Sequence, residues 1–165
     1  MDLFEEMSSG YDEIKFLLIH RLFNRLLLPV IQVMIQSRLQ QVYSCPDNVV
    51  KEQYFNSIDK SLHTNFRIQK IDDVRLLLRI ITENTWSVFS VNEKNISENL
   101  KRAGNKLAHN IHFNAEFTIS VLASVKALLK EMDEKNKELG IKQDIPFKEF
   151  ACINQDFERY FNISV

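Results

Sequence analysis

Four side chains that could serve phosphate chemistry stand at helical spacing on one stretch: Arg102, Asn105, Lys106 and His109. The stretch, Ile96 to Phe113, reads I-S-E-N-L-K-R-A-G-N-K-L-A-H-N-I-H-F. Read as a helix, it carries two opposed stripes. Ile96, Leu100, Ala103, Leu107 and Ile111 recur at the spacing of a core-facing stripe. At roughly 100° per residue the four polar residues gather on the far side, about 140° from the apolar centre. Arg102 and His109 fall on one line, two turns apart.

Each residue type has a use there. A histidine titrates near neutrality and can take or give a proton at working pH. An arginine presents a planar fork of donors to phosphate oxygens as charge builds in a transition state. Asn105 can orient an imidazole or a phosphate oxygen, and Lys106 adds a point charge. The same stripe also suits plain solvent. Glu98, four residues before Arg102, makes the ordinary i, i+4 ion pair, worth a few tenths of a kcal/mol. Alternatively Glu98 holds the arginine in place for a ligand.

Other constellations are weaker. His109 and His112 stand at i, i+3 without a placed carboxylate or thiolate, so no metal site is expected. Cys45 and Cys152 are far apart and lack partners at ligand spacing, which points to a reducing compartment, cytoplasm or nucleus, and no disulfide framework. Neither G-x-G-x-x-G nor a Walker lysine occurs, so no nucleotide cofactor is expected. A net charge of −1 exerts no global pull on nucleic acid, and any RNA contact must rest on a local patch.

The elements that position the stripe are helical. With only 3 Gly and 3 Pro in 165 residues, an all-β fold lacks its turns. After an arm over residues 1–10, an apolar face runs through Ile14, Leu17, Leu18, Phe23 and Leu26. Pro29 predicts a kink or break near Leu28, and the pattern resumes to Tyr43. Arg21, Arg25, Gln32 and Gln36 interrupt this run, so no membrane span is expected. Pro46 starts a weaker helix from about Asp47 to Phe66. Ile71 to Phe89 reads as the most buried helix, with Asp72 and Asp73 in its first turn. Arg75, Arg79 and Glu83 form a polar strip on it. The central helix follows, capped at Asn95 or Ser97. Gly104 inside it costs about 1 kcal/mol relative to alanine and suits close approach of a neighbouring backbone. Ala115 to Lys137 is a long amphipathic helix, antiparallel to the central one because the link is short. Gly140 ends it, and Phe147 to Phe161 forms a last helix docked on the bundle. The whole, 1–165, reads as one domain with residues 1–10 and roughly 140–165 at its periphery. Met1 suits a free-standing small protein and equally the start of an excised domain.

Asn105-Lys106-Leu107-Ala108-His109 resembles the second half of the R-N-x-x-A-H signature of the HEPN superfamily (higher eukaryotes and prokaryotes nucleotide-binding). Residues 71–89 and the early L-F-N-R-L-L-L-P-V-I, residues 22–31, are similar to one HEPN branch. That branch occurs at the C-terminus of a PIN-domain endoribonuclease linked to transcription. Gly104 stands where the signature's arginine would directly precede the asparagine. The looser superfamily pattern allows four to six residues between arginine and histidine, and Arg102 to His109 meets its longest form.

The resemblance implies an all-α bundle of four to five helices plus a short C-terminal helix, dimerising across the signature helices. It also implies RNA as substrate and either of two roles. Active members are metal-independent endoribonucleases with Arg102 and His109 as the catalytic pair here, and Asn105, Lys106 and Glu98 in support. Silent members dimerise or hold RNA, a larger protein partner or an antitoxin.

Overall fold

The computed structural model describes residues 13–43, 49–50, 66–67, 71–83, 88–109 and 114–165, the side chains of residues 43, 49, 50, 66, 67 and 109 excepted. Among the described residues the fold is a bundle of five helices with one short pairing of extended chain. The first, α1, is one rod: α-helical over residues 13–20, π-helical over Arg21–Leu27 and α-helical again over Leu28–Tyr43. Then come two extended pairs, β1 (Val49–Val50) and β2 (Phe66–Arg67), and the helices α2 (Val74–Glu83), α3 (Val91–His109), α4 (Ala115–Glu138) and α5 (Phe147–Phe161).

Of the kink or break expected near Leu28, the break does not occur, because the helix runs on through Pro29. The turn before Pro29 widens instead, and Leu28 donates its N–H to the Phe23 carbonyl, five residues back. A π turn displaces the carbonyl that a proline ring would strike in an α-helix, so the rod continues. Length also departs from expectation. The helix over Glu13–Val42 is long and apolar enough to cross a membrane, by length and composition alone. In the fold it is a core helix: Leu22, Leu27, Ile31, Met34 and Ile35 have no exposed surface. Leu18 is buried as expected, but Leu17, also expected inward, is exposed, and Ile19 is buried instead.

The helix expected from Asp47 to Phe66 is extended at its ends. Val49 pairs with Arg67 and Val50 with Phe66, antiparallel, and residues 51–65 lie outside the described residues. The helix expected over Ile71 to Phe89 is shorter. Asp73 precedes it as a cap, its Oδ1 accepting the Arg75 N–H at 2.9 Å, and Val88 and Phe89 already form a turn. Val74, Leu77, Leu78, Ile80 and Ile81 are the buried face of α2.

Ser90, rather than Asn95 or Ser97, starts α3. The Ser90 Oγ accepts the Glu93 N–H at 3.0 Å, and Glu93 Oε1 accepts the Ser90 N–H at 2.8 Å. This reciprocal pair is a capping box, two orphan donors satisfied at once. Asn114 caps α4 by accepting from Phe117 N–H. At the other end Gly140, at φ 72°, closes a Schellman turn, with Ile141 N–H donating to the Asn136 carbonyl at 2.8 Å. Helix α5 buries Phe150, Ile153 and Phe157, and Arg21 reaches it through an ion pair with Asp156 at 3.1 Å.

One buried cation joins these parts. Arg38 on α1 is wholly buried, as is Glu93. Its Nη1 and Nη2 each donate to a Glu93 oxygen at 2.7 Å. Nη1 also donates to the Val88 carbonyl, Nη2 to the Met132 carbonyl and Nε to Asn136 Oδ1. Asn136 donates to Gln143, and Gln143 donates back to the Val30 carbonyl on α1.

Removing one member strands the other charge away from water. Arg38→Met and Glu93→Gln should each cost about 3–5 kcal/mol in urea unfolding, the range for breaking a buried ion pair. The double variant Arg38→Met/Glu93→Met should cost clearly less than the sum, since no buried charge then remains.

Candidate functional site on α3

The α3 helix packs between α2 and α4, with Leu100 and Ala103 buried and Ile96 and Leu107 half-buried against the core. Arg102, Asn105 and Lys106 are exposed, and Glu98 is half-buried at their edge. His109 is the last residue of α3, and its side chain lies outside the described residues, as do residues 110–113 with His112. The stripe is not one surface. Asn105 lines one groove beside α3, Arg102 and Lys106 line another, and Glu98 lines neither.

The first groove, about 450 Å³, lies between α2 and α3 and includes Arg75, Arg79, Lys101 and Asn105. Its cations are all engaged by carboxylates. Arg75 grips Asp73, Nη2 to Oδ2 at 3.2 Å. A chain of pairs then crosses the two helices. Arg79 meets Glu83 at 3.1 Å, Glu83 meets Lys101 at 3.6 Å, and Lys101 meets Glu98 at 3.0 Å. Glu98 ends the chain on Arg102 Nε at 3.5 Å. Each link is partly exposed and worth at most about 1 kcal/mol. Together they neutralise the groove.

The second groove, about 480 Å³, lies between α3 and α4. Arg102, Lys106, Asn99, Phe117, Ser120 and Ser124 supply its polar and aromatic wall, and no carboxylate is among its lining residues. Lys106 stands over the Phe117 ring at 5.3 Å, a cation–π distance. The Arg102 side chain is 74% exposed, with its Nε toward Glu98. Asn105 does not line this groove.

Spacing alone exposed Arg102, Asn105, Lys106 and the Glu98 pair. It missed Lys101, whose bridge depends on α2 lying alongside, and it missed Ser120 and Ser124. Those two stand four apart on α4, and the short link from α3 was the one hint that they would face Lys106.

Gly104 is buried against α2. A Cβ added there would stand 3.1 Å from Cγ of Arg75, so the close neighbour is a side chain and not the backbone expected. An arginine at this position would thrust a long cation at a second one across a tight contact. Gly104→Arg should lower the urea midpoint, at a cost of about 1–3 kcal/mol, the range for overpacking. Arg102→Gln, on the exposed side, should change stability by less than about 0.5 kcal/mol.

No family model, no curated protein and no solved structure matches the chain, so the reading of this face rests on its own residues.

Proposed function

We propose that this chain is a HEPN-type module acting on RNA through the exposed face of α3, and that two copies meet there to form a metal-independent endoribonuclease. The observation that carries the reading is Arg102. Glu98 engages its Nε and leaves the outer end of a largely exposed guanidinium facing solvent, one turn from Lys106. That is how a carboxylate would hold an arginine for a phosphate. In the proposed reaction a histidine, His109, removes the proton from a ribose 2′-hydroxyl. The 2′-oxygen attacks the adjacent phosphorus, the bond to the 5′-oxygen breaks, and that oxygen takes a proton from the imidazolium so formed or from water and leaves as a 5′-hydroxyl. A 2′,3′-cyclic phosphate remains. Arg102 neutralises the charge on the phosphoryl oxygens, Lys106 adds to the local field, and Asn105 orients the imidazole or an oxygen.

The same ion pair favours a second reading. Glu98 offsets the Arg102 charge, which suits a silent HEPN module that dimerises or holds RNA or a protein partner without cutting.

A mixed-sequence RNA incubated with the protein in EDTA separates the two. The enzyme reading expects cyclic-phosphate ends, at a rate falling at least 100-fold in His109→Ala and in Arg102→Ala, the scale of general acid–base and charge stabilisation. Wild type cutting no faster than His109→Ala leaves the silent module, provided RNA still binds in fluorescence anisotropy. A chain that neither binds nor cuts RNA and runs as a monomer in light scattering is not what is proposed here.

A further inference from the structure

We propose that single-stranded RNA follows the groove between α3 and α4, with Ser120 and Ser124 of α4 contacting its backbone beside Arg102 and Lys106. The inference rests on the RNA reading above and adds the strand's path, which that reading leaves open. The grooves that α3 forms with α2 and with α4 differ in their electrostatics. In the α2–α3 groove Arg75, Arg79 and Lys101 each hold a carboxylate at 3.1–3.6 Å or closer. A phosphate entering there must displace Asp73, Glu83 or Glu98, or lie beside them. Like charge at such distances opposes it.

The α3–α4 groove differs in degree: Arg102 shares Glu98 through its Nε at 3.5 Å, but no carboxylate lies in the groove's own lining. Its lining contains two cations, the amide of Asn99, two hydroxyls and one aromatic ring, without an acid. Hydroxyls, amides and cations are the groups that contact phosphate and sugar oxygens without reading sequence. Ser120 and Ser124 lie one turn apart on the same line of α4, and Arg102 and Lys106 one turn apart on α3. The two lines face each other across the groove, a two-sided track for a chain of phosphates. Lys106 now rests over Phe117, and on this path it turns from the ring to a phosphate. Glu116 precedes Ser120 by one turn on the same line and is exposed, so it marks where the acid-free track ends.

The test is the binding of a fluorescent single-stranded RNA of about a dozen nucleotides to the full chain, over a range of salt. Ser120→Glu/Ser124→Glu places two carboxylates on an exposed or half-exposed face of α4, and circular dichroism and the urea midpoint should stay as in wild type. Affinity should fall at least tenfold. Lys106→Ala should flatten the dependence of log K on log salt by about 0.7, one phosphate contact on a single strand. Glu116→Lys should tighten binding and steepen that slope. Arg79→Gln, in the neutralised groove, should change affinity less than twofold. A 4-thiouridine crosslink should fall on the peptide holding residues 117–124. Binding that ignores the α4 variants and weakens with Arg79→Gln, or a crosslink on α2, overturns the path while leaving the RNA reading standing. A wild-type chain that binds no RNA overturns both.

Discussion

The Arg38 guanidinium is the constraint on which the arrangement depends. An arginine carries five N–H donors, and all five have an acceptor. Two go to the carboxylate of Glu93, and one each to the Val88 carbonyl, the Met132 carbonyl and Asn136. Those acceptors belong to the turn before α3, to the first turn of α3 and to the last turns of α4. A charge buried with this full set is tolerable, and with any lesser set it is not. The arginine therefore selects one relative placement of α1, α3 and α4. The Glu93 carboxylate is also half of the capping box with Ser90. The atom pair that neutralises the core thus also fixes where α3 begins and how it is turned. The exposed side of α3 faces where it does because its first turn is pinned from inside.

Much of the helical framework was legible because periodicity reports burial. The spacing of Phe117, Val121, Leu122, Val125, Leu128, Leu129 and Met132 predicts an inward face; the last six are buried and Phe117 is half-buried against the core. Pro146 marks where the last helix begins, and the helix expected over Phe147 to Phe161 has those bounds. The failures share a cause. Arg38 reads in sequence as one more helix cation, and its partners lie 50 to 98 residues away. No local pattern announces that. Pro29 carries a local rule, but the π turn that absorbs it is a choice made by the packed rod, with Leu26, Leu27, Val30 and Ile31 all buried around it. The stretch after Pro46 showed a narrow apolar stripe that fits a helix, whereas its ends pair as extended chain.

The face of α3 was legible as a list of residues and illegible as a surface. A helical wheel places Arg102, Asn105 and Lys106 together. It cannot say that α2 arrives with Asp73 and Glu83 on one flank while α4 arrives with Ser120 and Ser124 on the other. The neighbours convert one stripe into a neutral groove and a cationic one, each within a chain whose net charge is −1. Local electrostatics of this kind are set by tertiary packing, which is why total charge was a poor guide to it.

Gly104 shows how the same packing constrains where an arginine can stand. On a helix advancing roughly 100° per residue, position 104 lies about 140° around from position 109, and position 102 only about 20°. Position 104 is also closed by the stem of Arg75, whereas position 102 opens to solvent. An arginine set directly before Asn105 would face α2 and its cations. Set two residues earlier, it shares a line with the C-terminal end of α3 and gains Glu98 as a partner. The glycine lets α2 press close, and that close contact holds Arg75 and Asp73 on their own side of α3. Positions 104 and 102 thus stand under opposite constraints: the first, on the packed side of α3, has no room for a long side chain, and the second, on the open side, has.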